Sequence, residues 1–310
     1  MRRIFFTCLS LHFLLQCPSA FAVDFLYVSL NDNTVAAFDV SSGVSATIEA
    51  SKVVVTSFTN PRGLTFDNAG NLYVVSATAG VRKVTPSGSV SALSVANLNL
   101  PRDVVTDNSS LYISDVNSNN IIKYGLTSGV SSTFNTTGIS NTYGLAYNSS
   151  TSTLYAISTA TTSSIVSINS SGVVSNYINA GGSSGLNNAR GLAIDGSGVL
   201  YATNQGGTPN TVSRFTPPST TATTFSSTGL STPLGIALDS SGSVYVANQG
   251  TLNNITKYNS NGTVAYSFNP GSMPFLLEFG PQPVPEPSTL ILGLSATCIL
   301  YYIRRSRTRS

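Results

Sequence analysis

The chain reads as an all-β protein, a six-bladed β-propeller of four-stranded antiparallel blades, on three observations. An apolar-Tyr pair at the heart of a strand recurs at Leu26-Tyr27, Leu72-Tyr73, Leu111-Tyr112, Leu154-Tyr155, Leu200-Tyr201 and Val244-Tyr245, with Tyr-to-Tyr intervals of 46, 39, 43, 46 and 44 residues. Periods near 40 to 45 residues are those of propeller blades. An anchor precedes five of the six pairs: Pro61-Arg62-Gly63-Leu64, Pro101-Arg102-Asp103-Val104, Thr142-Tyr143-Gly144-Leu145, Ala189-Arg190-Gly191-Leu192 and Pro233-Leu234-Gly235-Ile236. The two ends of the repeat region complement each other. Leu26-Tyr27 lacks an anchor, and the anchor-like Pro274-Phe275-Leu276-Leu277-Glu278-Phe279 lacks a following Leu-Tyr strand.

Each unit opens as a tight hairpin. Asp67-Asn68-Ala69-Gly70 and Asp195-Gly196-Ser197-Gly198 offer an Asx acceptor and glycines that accept positive φ. In the third unit Asn148 replaces the turn Asp and Thr142 the proline. A third strand follows at Val35 to Phe38, Val81 to Val84, Ile121 to Tyr124, Ile165 to Ile168, Val212 to Phe215 and Ile255 to Tyr258, and then a Ser/Thr-rich fourth. Their alternation of apolar and polar residues belongs to half-buried strands. One blade is therefore expected to combine both ends of the region, with its innermost strand at residues 274 to 279 and the other three within residues 25 to 50. Closure of this kind leaves no open sheet edge at the seam.

Targeting segments flank residues 23–280. Arg2 and Arg3, an apolar run from Ile4 to Leu15 and Ala20-Phe21-Ala22 read as a signal peptide over residues 1–22. Cys17 does not make this a lipoprotein signal, because Gln16 is bulky where a small residue is required. At the other end, residues 281–289 form a Pro-rich linker. An apolar run over residues 290–303 is expected as a transmembrane helix, and residues 304–310 form a basic tail with Arg304, Arg305, Arg307 and Arg309. The run is short for a bilayer core of about 30 Å, yet long enough for a terminal anchor. The arginines would stay cytoplasmic, which puts everything before them outside.

Two resemblances follow from these residues. The tail, with Pro285-Glu286-Pro287, a short hydrophobic segment and an Arg-rich end, resembles a PEP-CTERM sorting signal. This implies a Gram-negative bacterium that makes extracellular polysaccharide, an exosortase that reads the tripeptide and removes the tail, and delivery to the cell surface or medium after an inner-membrane intermediate. The units over about residues 24 to 280 resemble NHL repeats, best at Leu111-Tyr112-Ile113-Ser114-Asp115 through Asn119-Asn120-Ile121-Ile122-Lys123-Tyr124. Related six-bladed folds include gluconolactonase-like hydrolases, but fold likeness alone carries no activity.

Between the targeting ends there is no cysteine and no histidine, because Cys8, Cys17, Cys298 and His12 all lie outside residues 23–280. Disulfides, thiolate nucleophiles, His-based triads and His/Cys zinc sites are excluded there. The ends carry six of the 15 basic residues and one of the 12 acidic ones, so the propeller segment is near −2. Nucleic acid is not expected as a partner, since its backbone demands a basic patch.

In an antiparallel blade the loops between strands two and three emerge on the same face as those leading into the next strand one. Arg62, Arg102 and Arg190, at the entry of strand one, should therefore ring the channel mouth. Asp103, Asp115, Asn204 and Asn248 are placed with them, the last three at the exit of strand two on the same side. Two roles compete for the arginines: capture of an anionic or hydroxyl-rich ligand, or pairing with Asp103, Asp115 and loop carbonyls to hold neighbouring blades together. The chain is read as a non-catalytic, exported binding module for anionic polysaccharide or other surface proteins, without a resident cofactor. The alternatives are a gluconolactonase-like or lyase-like enzyme using a divalent metal, for which Ca²⁺ would suit oxygen ligands from Asp103, Asp115, Asn204 and Asn248, and a structural scaffold of the polysaccharide matrix. Glu49 and Glu278 are the only glutamates within residues 23–280, and without histidine general acid-base work would fall on an isolated carboxylate.

Overall fold

A computed structural model describes residues 25–41, 50–55, 58–135, 137–159, 162–179 and 185–281. The signal peptide, the Pro285-Glu286-Pro287 motif, the apolar run and the basic tail lie outside the described residues. All regular structure within them is strand, arranged as six separate four-stranded antiparallel sheets.

The first blade comprises β4 (Pro61–Phe66), β5 (Leu72–Ser76), β6 (Gly80–Val84) and β7 (Val90–Leu93). The second comprises β8 (Pro101–Thr106), β9 (Ser110–Asp115), β10 (Asn120–Gly125) and β11 (Ser131–Asn135). The third comprises β12 (Thr142–Asn148), β13 (Thr153–Ser158), β14 (Ser164–Ile168) and β15 (Val174–Ile178). The fourth comprises β16 (Ala189–Ile194), β17 (Leu200–Asn204), β18 (Thr211–Phe215) and β19 (Thr223–Ser226). The fifth comprises β20 (Pro233–Leu238), β21 (Val244–Asn248), β22 (Asn254–Tyr258) and β23 (Val264–Phe268).

The sixth blade joins the two ends of the region in the order β24 (Pro274–Gly280), β1 (Phe25–Leu30), β2 (Val35–Asp39), β3 (Ala50–Val55). Its fourth strand begins where residues 25 to 50 were expected to end, because the β-branched run Val53-Val54-Val55 lies beyond that bound. The first strands touch in a closed ring, β4 to β8 to β12 to β16 to β20 to β24 and back to β4. They are the innermost strands.

The core is a set of layers between neighbouring blades. Sixth-blade residues take part in two of them. Leu26, Val28 and Phe38 pack with Tyr245, Ile255 and Phe268 of the fifth blade, while Phe25, Tyr27 and Val35 pack with Leu64, Leu72 and Val74 of the first. The repeated Tyr is a structural residue with a polar end. The Tyr73 hydroxyl donates to Asp67 at 2.9 Å, the Tyr112 hydroxyl to Asp107 at 2.9 Å and the Tyr27 hydroxyl to the Pro281 carbonyl at 2.8 Å. In the third blade Asn148 takes over as Asx acceptor, receiving the N–H groups of Ser150 and Thr151.

Blades are also tied across the face that carries the loops between strands two and three. There the side-chain oxygens of Asn33, Asn119 and Asn210 accept the backbone N–H groups of Asn60, Asn141 and Thr232 ahead of the next strand one, at 2.8, 2.8 and 2.9 Å. Asn33 and Asn119 hold φ of 68° and 50°, a region that Asn tolerates better than other non-glycine residues.

The seam is the point on which ring closure rests. Deleting residues 274–280 would expose the edge of β1 and remove the buried Phe275 and Leu277, each worth about 2 to 5 kcal/mol in a core. We expect the melting temperature to fall by about 10 °C or more. A truncated protein that melts as sharply and at the same temperature as the intact one would contradict closure by this strand.

Candidate functional site

Two consecutive positions near the start of each innermost strand build the channel mouth. The second residues are Arg62, Arg102, Tyr143, Arg190, Leu234 and Phe275; the third are Gly63, Asp103, Gly144, Gly191, Gly235 and Leu276. Register shifts here in all six first strands, so that one residue is left over between the first pair and the next. A bulge of this kind re-aims side chains at the end of a strand. Hydroxyls on strand two serve the backbone groups it frees. Ser114 Oγ accepts the Asp103 N–H at 3.0 Å and donates to the Tyr143 carbonyl at 2.7 Å; Thr203 Oγ1 accepts the Gly191 N–H at 2.9 Å and donates to the Leu234 carbonyl at 2.8 Å.

Glycine at the third position follows from crowding. A Cβ on Gly63 would stand 2.6 Å from the Asp103 Cα, and one on Gly144 2.6 Å from the Arg190 carbonyl oxygen. Only the second and sixth blades place a side chain there, Asp103 and Leu276. These two residues line both the small mouth pocket and the larger cavity along the channel.

Arg62, Arg102 and Arg190 line one small pocket with Asp103, Tyr143 and Leu234. Arg62 lies over the Phe275 ring with its guanidinium carbon 3.7 Å from the centroid, and Arg190 over Tyr143 at 4.0 Å; Arg102 is 5.9 Å from the Tyr143 centroid. Such stacking holds the faces of a guanidinium and leaves its N–H edge to bond elsewhere. Arg190 Nε donates to Gln205 Oε1 at 3.2 Å, and Gln205 in turn donates to the Pro233 carbonyl at 3.1 Å. Arg62 Nε and Arg102 Nε are buried and have no hydrogen-bond partner. Among the described residues no carboxylate forms a salt bridge with any of the three arginines. Burial, and then the neighbouring charge of Arg102, pull Arg62 down to about 10.

Asp115, Asn204 and Asn248 do not join this mouth. They are at most 1% exposed, and their side chains turn into the blade, where they fasten the loop that leads into strand one. The Asp115 carboxylate accepts the N–H groups of Asn99, Leu100 and Ser118. Asn204 accepts from Asn187 N and donates to Thr211 and Ser213; Asn248 accepts from Ser231 N and donates to the Gly229 carbonyl, Asn254 and Thr256. Ser76 and Ser158 occupy the same position in their blades; Ser76 donates to the Thr59 carbonyl, and Ser158 accepts the Ser140 N–H and donates to its carbonyl. The physical reason is the unpaired backbone ahead of strand one, which needs partners once buried. A metal site drawn from Asp103, Asp115, Asn204 and Asn248 is therefore not assembled, because all four spend side-chain oxygens on backbone N–H groups. Among the described residues no three of His, Cys, Asp and Glu cluster.

Inside the mouth, a channel cavity of about 320 Å³ is lined by two carboxyl groups, Asp103 on β8 and Glu278 on β24. Asp103 does not pair with the arginines; its two oxygens accept the N–H groups of Val104 and Leu145, both at 2.9 Å. Burial pushes Asp103 up to about 7 against the pull of those two bonds, and burial, then Asp103's charge, push Glu278 up to about 8. Glu278 was legible only as a rare glutamate, and Tyr143 as a departure from the anchor pattern. Neither announced its place.

No family model matches this chain, and no curated protein matches it in sequence. Solved structures do share its fold. One chain of a nidogen/laminin complex superposes with a TM-score of 0.71 at 13% identity, covering 83% of this chain and 98% of that one. A gluconolactonase from Xanthomonas campestris reaches a TM-score of 0.61 at 12% identity, over 84% of this chain and 92% of its own. A streptogramin B lyase reaches 0.53 at 14% identity, over 74% and 70%. At these identities the likeness establishes the fold, a six-bladed propeller, and leaves the chemistry to the residues at the mouth.

Proposed function

We propose that this protein is an exported, non-catalytic binding module that captures an anionic glycan through the arginine mouth of its propeller. One observation carries the reading: three guanidiniums gather at a channel entrance without a carboxylate partner among the described residues, in a segment whose net charge is near −2. A local positive field on a globally negative domain favours anionic ligands. The stacking on Phe275 and Tyr143 pre-orders two of the three side chains, which lowers the entropy lost on binding. A chain of a nidogen/laminin complex and two enzymes stand among the structural neighbours, so the fold itself does not choose between holding a ligand and turning one over.

Export rests on the flanking sequence. In this reading residues 1–22 direct secretion, and Pro285-Glu286-Pro287 presents the tail to an exosortase, leaving the propeller at the surface or in the matrix. Glu286→Ala should leave export intact and block tail removal. Mass spectrometry that finds the same mature C-terminus in variant and wild type would contradict the sorting role.

Binding is tested by retention of the purified protein on a column of anionic polysaccharide, with a neutral polysaccharide as control. Retention should weaken as salt rises. Each of Arg62→Ala, Arg102→Ala and Arg190→Ala removes a charge-assisted contact worth about 1.5 to 3 kcal/mol, hence about one to two decades in affinity if the contact is direct. Unchanged retention of the triple variant, with its melting transition intact, would return the arginines to a packing role. Lactone turnover that EDTA abolishes would overturn the non-catalytic claim and point to the Asp103 and Glu278 channel instead.

A further inference from the structure

Asp103 is out of place in the repeat. The corresponding residue is glycine in four of the other five blades, where the neighbouring strand leaves no room for a Cβ at Gly63 or Gly144. The second blade admits a carboxyl group at this level, and it is the one ionisable side chain that lines both the arginine pocket and the channel cavity. Its contacts do not make it a salt-bridge partner. Both oxygens are turned to backbone N–H groups, Val104 on its own strand and Leu145 on the next, while the three cations around the pocket remain without it.

We propose that Asp103 makes the arginine mouth a proton-linked anion site, in which a carboxylate or similar anionic group enters among Arg62, Arg102 and Arg190 while Asp103 takes up a proton from solvent. This rests on the anion-binding reading given above and adds its regulation.

The charged and titratable groups around Asp103 come from every first strand that reaches it: Arg62 on β4, Arg102 on β8 itself, Tyr143 on β12, Arg190 on β16 and Glu278 on β24. Three of these are cations, which favour a bound anion, while Asp103 is held by burial and by its two backbone hydrogen bonds. Burial pushes Asp103 up to about 7, close to neutrality. An arriving anion adds negative charge beside it and favours the protonated form. Linkage is reciprocal: if the anion raises Asp103's proton affinity, protonation of Asp103 raises anion affinity by the same factor. Binding should then tighten below neutrality and weaken above it. Glu278, coupled to Asp103 and raised to about 8, ionises later and shifts the curve without replacing it.

The experiment is calorimetric titration of the purified protein with trigalacturonate at pH 6, 7 and 8.5, in buffers of different ionisation enthalpy. A carbon-detected NMR titration of Asp103 in the protein without probe accompanies it. The wild type should bind about tenfold more weakly at pH 8.5 than at pH 6, with net proton uptake of about half a proton at pH 7. Asp103→Gly restores the repeat residue and should bind with little pH dependence and no proton uptake, and Asp103→Asn should do the same. The Asp103 carboxyl should titrate near 7 before the probe is added and higher after it. A midpoint below 5 in the free protein overturns the proposal whatever the probe does. So does proton uptake that persists in Asp103→Gly and vanishes in Glu278→Gln. If the NMR midpoint is near 7 but trigalacturonate fails to bind at any pH, the anion-binding reading is what has failed, and the linkage falls with it.

Discussion

Six backbone strands meeting around one axis is the constraint from which the rest of this structure follows. At the level of the third residue of each first strand the approach is so close that a Cβ on Gly63 would stand 2.6 Å from the next strand's backbone. Glycine meets that approach in four blades, and Asp103 and Leu276 stand at the same level in the other two. The same crowding accompanies the bulge at the start of every first strand, and with it the exposure of the second residue to the channel mouth. Side chains in this layer, Arg62, Arg102, Tyr143 and Arg190 among them, are the ones free to meet a ligand. Their neighbours one blade-layer out are committed to holding the ring together.

That division separates two kinds of polar residue which look alike in sequence. Asp115, Asn204 and Asn248 are buried acceptors and donors for loop backbone, a role that the burial of unpaired N–H and C=O groups demands. The arginines are half-buried and, among the described residues, without acidic partners. Phe275 and Tyr143 supply stacking for these cations; Arg190 Nε donates to Gln205, whereas Arg62 Nε and Arg102 Nε are left without a hydrogen-bond partner. Asp103 stands where the two layers touch.

Much of this was legible in the chain. The Leu-Tyr spacing gives six blades, and the complementary half-units at Leu26-Tyr27 and Pro274 to Phe279 give the seam, because a strand without its partner at each end has one economical solution. Arg62, Arg102 and Arg190 were placed at the mouth from connectivity alone. The side-chain direction of the residue four after each repeated Leu was not legible. Two-residue periodicity assigns a face of the sheet, and it does not say that the loop ahead of strand one folds back over that face to claim Asp115 or Asn248. Bulges were also invisible, since they depend on how strands one and two register. Glu278 and Asp103 lie far apart in sequence and come to line one channel only when the seam strand closes the ring between the fifth and first blades.

The most direct measurement is anomalous diffraction from crystals soaked in bromide, a small anion with no shape preference that reads the field of the mouth itself. The account predicts a bromide peak within the pocket bounded by Arg62, Arg102 and Arg190. Bromide bound at exposed lysines with none in the mouth would contradict it.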